Sequence, residues 1–255
     1  MRQVIERIGV SLLDFLLPAH CPVTGEPVEH SGGLSAEVWA GLQFIQDPKC
    51  IQCGLPFAFD TGAIEENSAQ EVMKRCTQCL YQPPSFDRAR ARLIYNDTSR
   101  QLLLRFKHGD QLQLRRLFTP YISQSHADLA CDYDFITAVP IHPYRLLKRR
   151  YNQAAILAQT LSVALGRKKL YTPELLKRVR HTKQQEGDRM ARRKNVSKAF
   201  AVPDKYKAPV RDKAILIVDD VYTIGATVDS CARTLKRAGA TRVDVLTLAR
   251  VVRDM

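Results

Sequence analysis

The chain has 255 residues, is 45% apolar, and carries 39 Lys or Arg against 26 Asp or Glu, a net charge of +13. That apolar share excludes a wholly disordered chain, and the length suits one sizeable domain plus a small module. No apolar run reaches the roughly 18 residues a membrane-spanning helix needs, so no membrane insertion is expected; the positive excess points to phosphorylated substrates, nucleic acid, or both.

Met1–Leu17 places Val4, Ile5, Ile8, Leu12, Phe15 and Leu16 at helical spacing. This predicts a short amphipathic helix packed on the body, with membrane-surface docking as the alternative. Glu6 and Asp14 interrupt it and no small-residue cleavage site follows, so no secretory signal is read and a cytoplasmic location is expected.

The stretch to Pro84 is loop-rich and holds five of the seven cysteines. Cys50-Ile51-Gln52-Cys53-Gly54 and Cys76-Thr77-Gln78-Cys79 are separated by 22 residues. Two such pairs at this spacing form the knuckles of a zinc ribbon, in which four thiolates close a tetrahedral structural site. Unliganded buried thiols are the alternative. The odd cysteine count in a reducing cytosol favours metal over disulfides. Cys131 and Cys231 are expected as buried small hydrophobes. Gln82-Pro83-Pro84 reads as a linker, dividing a 1–84 module from an 85–255 domain. No internal repeat is expected.

Regular periodicity follows. Ala89–Tyr95 reads as a strand, Ser99–Phe106 as a helix broken at Lys107-His108-Gly109-Asp110, and Leu112–Ser123 as a further helix. Phe135–Val139 is a short strand ending at Pro140, and Asn152–Leu165 a helix stopped by Gly166. Leu175–Arg180 is a candidate strand and Gln184–Lys198 a basic loop. Ala214–Val218 reads as a buried strand, Thr227–Ala238 as a helix closed by Gly239, and Val243–Ala249 as the last strand. The alternation argues for an α/β domain with a mostly parallel sheet. Pro140–Phe200 holds 16 Lys or Arg and 3 Asp or Glu, which equals the whole chain's excess. Such a run is a solvated face or a binding surface.

Ile215-Leu216-Ile217-Val218 suits a central strand covered on both faces, and ligands in open α/β sheets bind at strand carboxyl ends. There Asp219 and Asp220 follow, then Val221-Tyr222-Thr223-Ile224-Gly225-Ala226-Thr227 and a helix. Gly225 and Ala226 permit close backbone approach to a phosphate, the helix N-terminus favours an anion, and Thr223 and Thr227 add hydroxyl donors. Two adjacent carboxylates accept hydrogen bonds from vicinal hydroxyls. A ribose 5-phosphate fits that layout; an ordinary strand–turn–helix with an acidic turn is the bland alternative.

Ile215–Thr227 resembles, slot for slot, the signature of the type I phosphoribosyltransferases: four apolar residues, two acids, two free positions, threonine, a free position, glycine, a small residue and threonine. The resemblance implies a Rossmann-like fold in which Asp219 and Asp220 orient the ribose and Val218, Thr223, Ile224, Gly225, Ala226 and Thr227 line the phosphate site. It also implies a pyrophosphate loop after an earlier strand, assigned to Pro140, Ile141, His142, Pro143, Tyr144 and Arg145, with Lys148, Arg149 and Arg150 as further cations. A loop closing over the reaction centre is implied too, and Arg178–Phe200 is its candidate.

The zinc ribbon joined to such a domain resembles the ComF family of DNA-uptake (competence) proteins, which includes the GntX-type proteins. Leu12-Leu13-Asp14 through Pro18 and Cys21, Ser85-Phe86-Asp87-Arg88-Ala89, Arg149-Arg150-Tyr151-Asn152-Gln153, and Thr182, Gln185, Arg193, Asn195 and Phe200 carry the likeness across nearly the whole chain. The family often has a double zinc ribbon. Here Thr24 stands where the partner of Cys21 would be, and Ser35 and Val38 occupy the spacing of the second pair, so one zinc is expected. Arg150 stands where the family has glycine.

Two functions follow. One is a phosphoribosyltransferase that binds phosphoribosyl diphosphate with Mg²⁺ and transfers ribose 5-phosphate to a nitrogen nucleophile, with no nucleobase pocket announced by the sequence. The other is a non-catalytic adaptor working with DNA-uptake proteins, which holds single-stranded DNA on Arg149, Arg150, Arg192 and Arg193 and stacks bases on Tyr144 and Tyr151.

Overall fold

A computed structural model describes residues 19–30, 32–57, 74–108, 113–142, 146–147, 151–179 and 199–252. The expected helix over Met1–Leu17, nearly all of the basic closing loop, and Pro143, Tyr144, Arg145, Lys148, Arg149, Arg150, Thr182, Gln185, Arg192, Arg193 and Asn195 lie outside those residues.

The elements in chain order are α1 (Ala36–Ala40), α2 (Thr77–Tyr81), β1 (Arg88–Ile94), α3 (Asp97–His108), α4 (Leu114–Ala127), β2 (Phe135–Ala138), α5 (Gln153–Ala164), β3 (Lys177–Arg178), β4 (Phe200–Ala201), α6 (Asp204–Lys207), β5 (Ala214–Tyr222), α7 (Ala226–Arg237) and β6 (Arg242–Arg250). The main sheet has the order β1-β6-β5-β2 and every neighbouring pair is parallel. This is the α/β class the alternation predicts. Two expectations change. Leu175–Arg180 shrinks to the two-residue β3, because Pro173–Leu175 closes a 3₁₀ turn before it. Cys131 is only part-buried, its thiol beside the Asp132 carbonyl, whereas Cys231 is fully buried.

The two sheet faces are covered separately. Leu216, Val218 and Leu246 pack with Leu102, Phe106, Phe118, Leu157 and Leu161 of α3, α4 and α5. Ile215, Ile217, Val243 and Val245 pack with Val228, Cys231 and Leu235 of α7, and Cys50, Cys53, Cys76 and Cys79 belong to that same layer. Burial of both faces explains the unbroken apolar run in β5. At one end of the sheet the fully buried Asp244 accepts hydrogen bonds from the Tyr133 hydroxyl at 2.6 Å, Arg88 N–H at 2.9 Å and Arg242 Nε at 2.8 Å.

The amino-terminal segment lies along the outer side of β1. Ile45 N–H donates to Arg92 O, Ile94 N–H to Gln43 O, and Ala89 N–H to Gln52 O. Gly54 needs to be glycine here: its φ is +70°, and a Cβ would lie 2.6 Å from Ala89 O.

This segment carries the degenerate double ribbon that the family resemblance implies, seen as a structural duplication although periodicity alone predicted no internal repeat. Cys21-Pro22-Val23-Thr24-Gly25-Glu26-Pro27 and Cys50-Ile51-Gln52-Cys53-Gly54-Leu55-Pro56 fold alike. Gly25 N–H donates to Cys21 O and Gly54 N–H to Cys50 O, each at 2.9 Å; Cys21 N–H donates to Glu26 O and Cys50 N–H to Leu55 O, each at 2.7 Å. Both copies then present a short helix whose N-cap is a ligand position, Ser35 for α1 and Cys76 for α2, with ψ of 156° and 154°.

Candidate functional site

β5 is longer than its apolar run. It pairs with β2 only as far as Val218, opposite Ala138, but with β6 as far as Tyr222, opposite Arg250. Asp219 and Asp220 are therefore inside the strand, at the step where its β2 neighbour has ended, rather than in a loop after it. Val139 N–H donates to Val218 O at 2.9 Å, which brings the half-buried Pro140, Ile141 and His142 off β2 beside that step.

Thr223 and Ile224 turn the chain, and Gly225 caps α7 in the left-handed region, with φ +75°. A Cβ there would lie 2.3 Å from the Tyr222 hydroxyl, so only glycine fits. Asp229 N–H already donates to Gly225 O. The first-turn N–H groups ahead of it have no acceptor within the helix and carry its positive dipole end. Thr223 is exposed and Thr227 half-exposed, so both hydroxyls are reachable. The loop offers donors to an anion, and the neighbouring acids offer acceptors to hydroxyls.

Both acids are half-buried. Burial, then the adjacent Asp220 charge, pushes the Asp219 carboxyl up to about 8, against an opposing hydrogen bond from Asp220 N–H. Lys107, at the end of α3, forms a 2.6 Å ion pair with Asp220. The sequence reading treated Lys107 only as a helix breaker. Nothing local marks it, because its partner is far along the chain.

Tyr151, Asn152 and Gln153 explain how Lys107 is held. The Tyr151 hydroxyl donates to Phe106 O at 2.7 Å and Gln153 Nε2 to Lys107 O at 3.1 Å. Asn152 caps α5 by accepting from Ala154 N–H and donates from Nδ2 to Val139 O at 3.0 Å. This string ties the end of α3 to the end of β2. Tyr151 is thereby fixed against Phe106 in the body, which argues against its use as a base-stacking platform.

The four predicted cysteines converge. Their sulfurs all lie within 4.8 Å of one another, with Cys53 and Cys76 sulfurs 3.5 Å apart, and all four are buried. Tetrahedral zinc with Zn–S near 2.3 Å places sulfurs about 3.8 Å apart, so the cage has the size for zinc. Cys53 N–H and Cys76 N–H point at Cys50 Sγ, at 3.5 and 3.3 Å, as donors do towards a metal-bound thiolate.

Charge supports the same conclusion. Arg90 and Arg250 are 8% and 4% exposed, and neither has a carboxylate within ion-pair distance among the described residues. Arg90 Nη1 donates to Ile51 O at 3.0 Å; Arg250 donates to Cys53 O and, at 3.4 Å, to Cys53 Sγ. Buried cations need an opposite charge, and four thiolates around Zn²⁺ carry about −2. The residues fit structural zinc.

The first copy of the knuckle has no such cage. Cys21 meets Thr24 and Ser35, whose hydroxyls are 3.2 Å apart. Burial raises the Cys21 thiol, but hydrogen bonds from Ser35 and Thr24 outweigh it and bring it down to about 6. Hydroxyl and amide donors stand where a metal would.

Comparison with known proteins agrees with this layout. A double zinc ribbon domain model matches residues 12–80. Competence protein F of Haemophilus influenzae is 30% identical over 80% of this chain and 85% of its own. The DNA utilization protein YhgH of Escherichia coli K12 is 30% identical over 80% and 84%, and competence protein ComFC of Streptococcus pneumoniae 28% over 63% and 67%. Among solved structures, the glutamine phosphoribosylpyrophosphate amidotransferase of B. subtilis overlaps 56% of this chain and 30% of that one, at 18% identity and a TM-score of 0.37. With its duplicated ribbon, and with that identity across four fifths of its length, the chain belongs to the ComF family of competence proteins.

Proposed function

We propose that this protein binds phosphoribosyl diphosphate with Mg²⁺ at the end of β5 and acts in the cytoplasm in the handling of DNA taken up during natural transformation. The observation that carries the binding reading is the glycine-capped loop of α7 next to two half-buried acids at the step beyond β2. The loop from Thr223 to Thr227 receives the 5-phosphate, and Asp219 and Asp220 accept the ribose hydroxyls. Pro140, Ile141, His142 and Arg145 receive the diphosphate. Mg²⁺ held with the ligand would neutralise diphosphate charge, beside the acids. The activity that matches these roles is phosphoribosyl transfer to a nitrogen nucleophile. The relatives' names support the setting in DNA uptake.

The test is calorimetric titration of the full chain with phosphoribosyl diphosphate and Mg²⁺. Asp219→Asn with Asp220→Asn is expected to abolish binding; unchanged affinity in that double variant removes the site assignment.

A second reading, a non-catalytic holder of single-stranded DNA, is favoured by a surplus of cations. Lys177, Arg211 and Arg237 have no ion pair among the described residues. DNA affinity would then fall steeply with salt, and charge reversal at Arg149, Arg150, Arg192 and Arg193 would flatten the slope. No binding at low salt removes this reading.

A further inference from the structure

Arg250 ends β6 directly opposite Tyr222 in register, so one residue pair joins the cysteine cage to the phosphate loop. On one side the Arg250 guanidinium contacts the carbonyl and sulfur of Cys53. On the other its Cζ lies 4.3 Å over the centre of the Tyr222 ring. Phe86 meets that ring edge-on at 6.2 Å, and the ring is buried. The Tyr222 hydroxyl then occupies the space where any side chain at Gly225 would go. The chain of contacts runs Cys53, Arg250, Tyr222, Gly225.

We infer that Arg250 and Tyr222 are positioning residues through which zinc in the cysteine cage sets the shape of the Thr223–Thr227 loop. The inference rests on the reading of that loop as an anion site. Arg250 is a buried cation with no carboxylate in ion-pair distance among the described residues, and the negative charge it contacts is that of the thiolate centre. With the metal bound, Arg250 is held against Cys53, as outer-shell donors hold metal thiolates. It then clamps the flat face of Tyr222, and the ring props the left-handed turn. Without the metal the centre loses its fixed charge and geometry, and the guanidinium loses the charge that holds it beside Cys53. The ring then loses one wall, and the turn at Gly225 loses its support.

The experiment compares amide hydrogen exchange of the full-length protein, zinc-loaded and stripped with a chelator. Exchange over Thr223–Thr227 is expected to rise at least tenfold on stripping while β5 and β6 stay protected. Arg250→Gln should release zinc to a chelating indicator at least tenfold faster and loosen the same loop. Arg250→Lys, in the cobalt-loaded protein, should shift the thiolate charge-transfer band. Tyr222→Leu should loosen the loop with zinc release unchanged within twofold, and it decides the matter if Arg250→Gln does not fold. Loop exchange unaltered by stripping, a rise spread evenly over the α/β body, or wild-type zinc retention in Arg250→Gln overturns the inference. Failure of the wild-type protein to bind phosphoribosyl diphosphate would remove the proposed ligand but leave the exchange result standing.

Discussion

The Lys107 ammonium lies 2.6 Å from a carboxylate oxygen of Asp220, with both side chains largely buried. Two adjacent acids at a strand step are tolerable because this cation offsets the charge of Asp220 while Asp219, pushed up to about 8, holds its proton at neutral pH. Truncating Lys107 to methionine leaves Asp220 unpaired and is expected to cost about 2 kcal/mol of stability. Lys107→Met combined with Asp220→Asn should recover part of that loss. A urea double-mutant cycle reads the coupling, and additive costs would remove the pair from the account.

Asp219 gives a pH dependence. Its carboxyl titrates near 8 in the fold and about 4 in an unfolded chain. Between those values the folded state holds the extra proton, so this group's contribution to stability is full below pH 4 and is lost as pH rises through 8. The melting temperature of the ligand-free protein should therefore fall less steeply over pH 5–8 in Asp219→Asn than in the wild type. Parallel curves would exclude Asp219 as the titrating group.

Gly225→Ala should be damaging twice over. The left-handed φ is strained for alanine, and the new methyl overlaps the Tyr222 hydroxyl and ring. A combined cost of about 2–4 kcal/mol follows. Tyr222→Phe should not rescue it, because the ring carbon beneath the hydroxyl is itself only 2.6 Å from the added Cβ. Chemical denaturation of the single and double variants checks both statements.

The duplicated knuckle makes a constructive prediction. The first copy keeps the turn, the hydrogen bonds and the capped helix, and has lost only the ligands at Thr24, Ser35 and Val38. Thr24→Cys, Ser35→Cys and Val38→Cys together should raise zinc from one to two per chain by metal analysis. Cys76→Ser with Cys79→Ser should lower it to none in an otherwise wild-type chain.

Much of this was legible locally. The strand–acid–loop–helix order around Gly225 and the two cysteine pairs are short-range patterns, and backbone geometry alone makes them readable. Lys107, Arg90 and Arg250 were not, because each acts on a partner far along the chain that only the folded arrangement brings near. The end of β5 was misplaced for a related reason: acids look like a strand's end unless β6 is known to continue alongside. The repeat of Cys21–Pro27 in Cys50–Pro56, as Cys-x-x-x-Gly-x-Pro, was reached through the family resemblance rather than from periodicity, because the residue that varies between the copies is the metal ligand itself.

The backbone groups of β1 that face away from β6 are satisfied by Gln43, Ile45 and Gln52. Cutting the chain at the Pro83-Pro84 linker would bare that strand as a ready template for intermolecular pairing. The α/β body expressed alone is thus expected to self-associate, and the amino-terminal module serves as the solubilising flank of the sheet whether or not its metal is ever used for anything else.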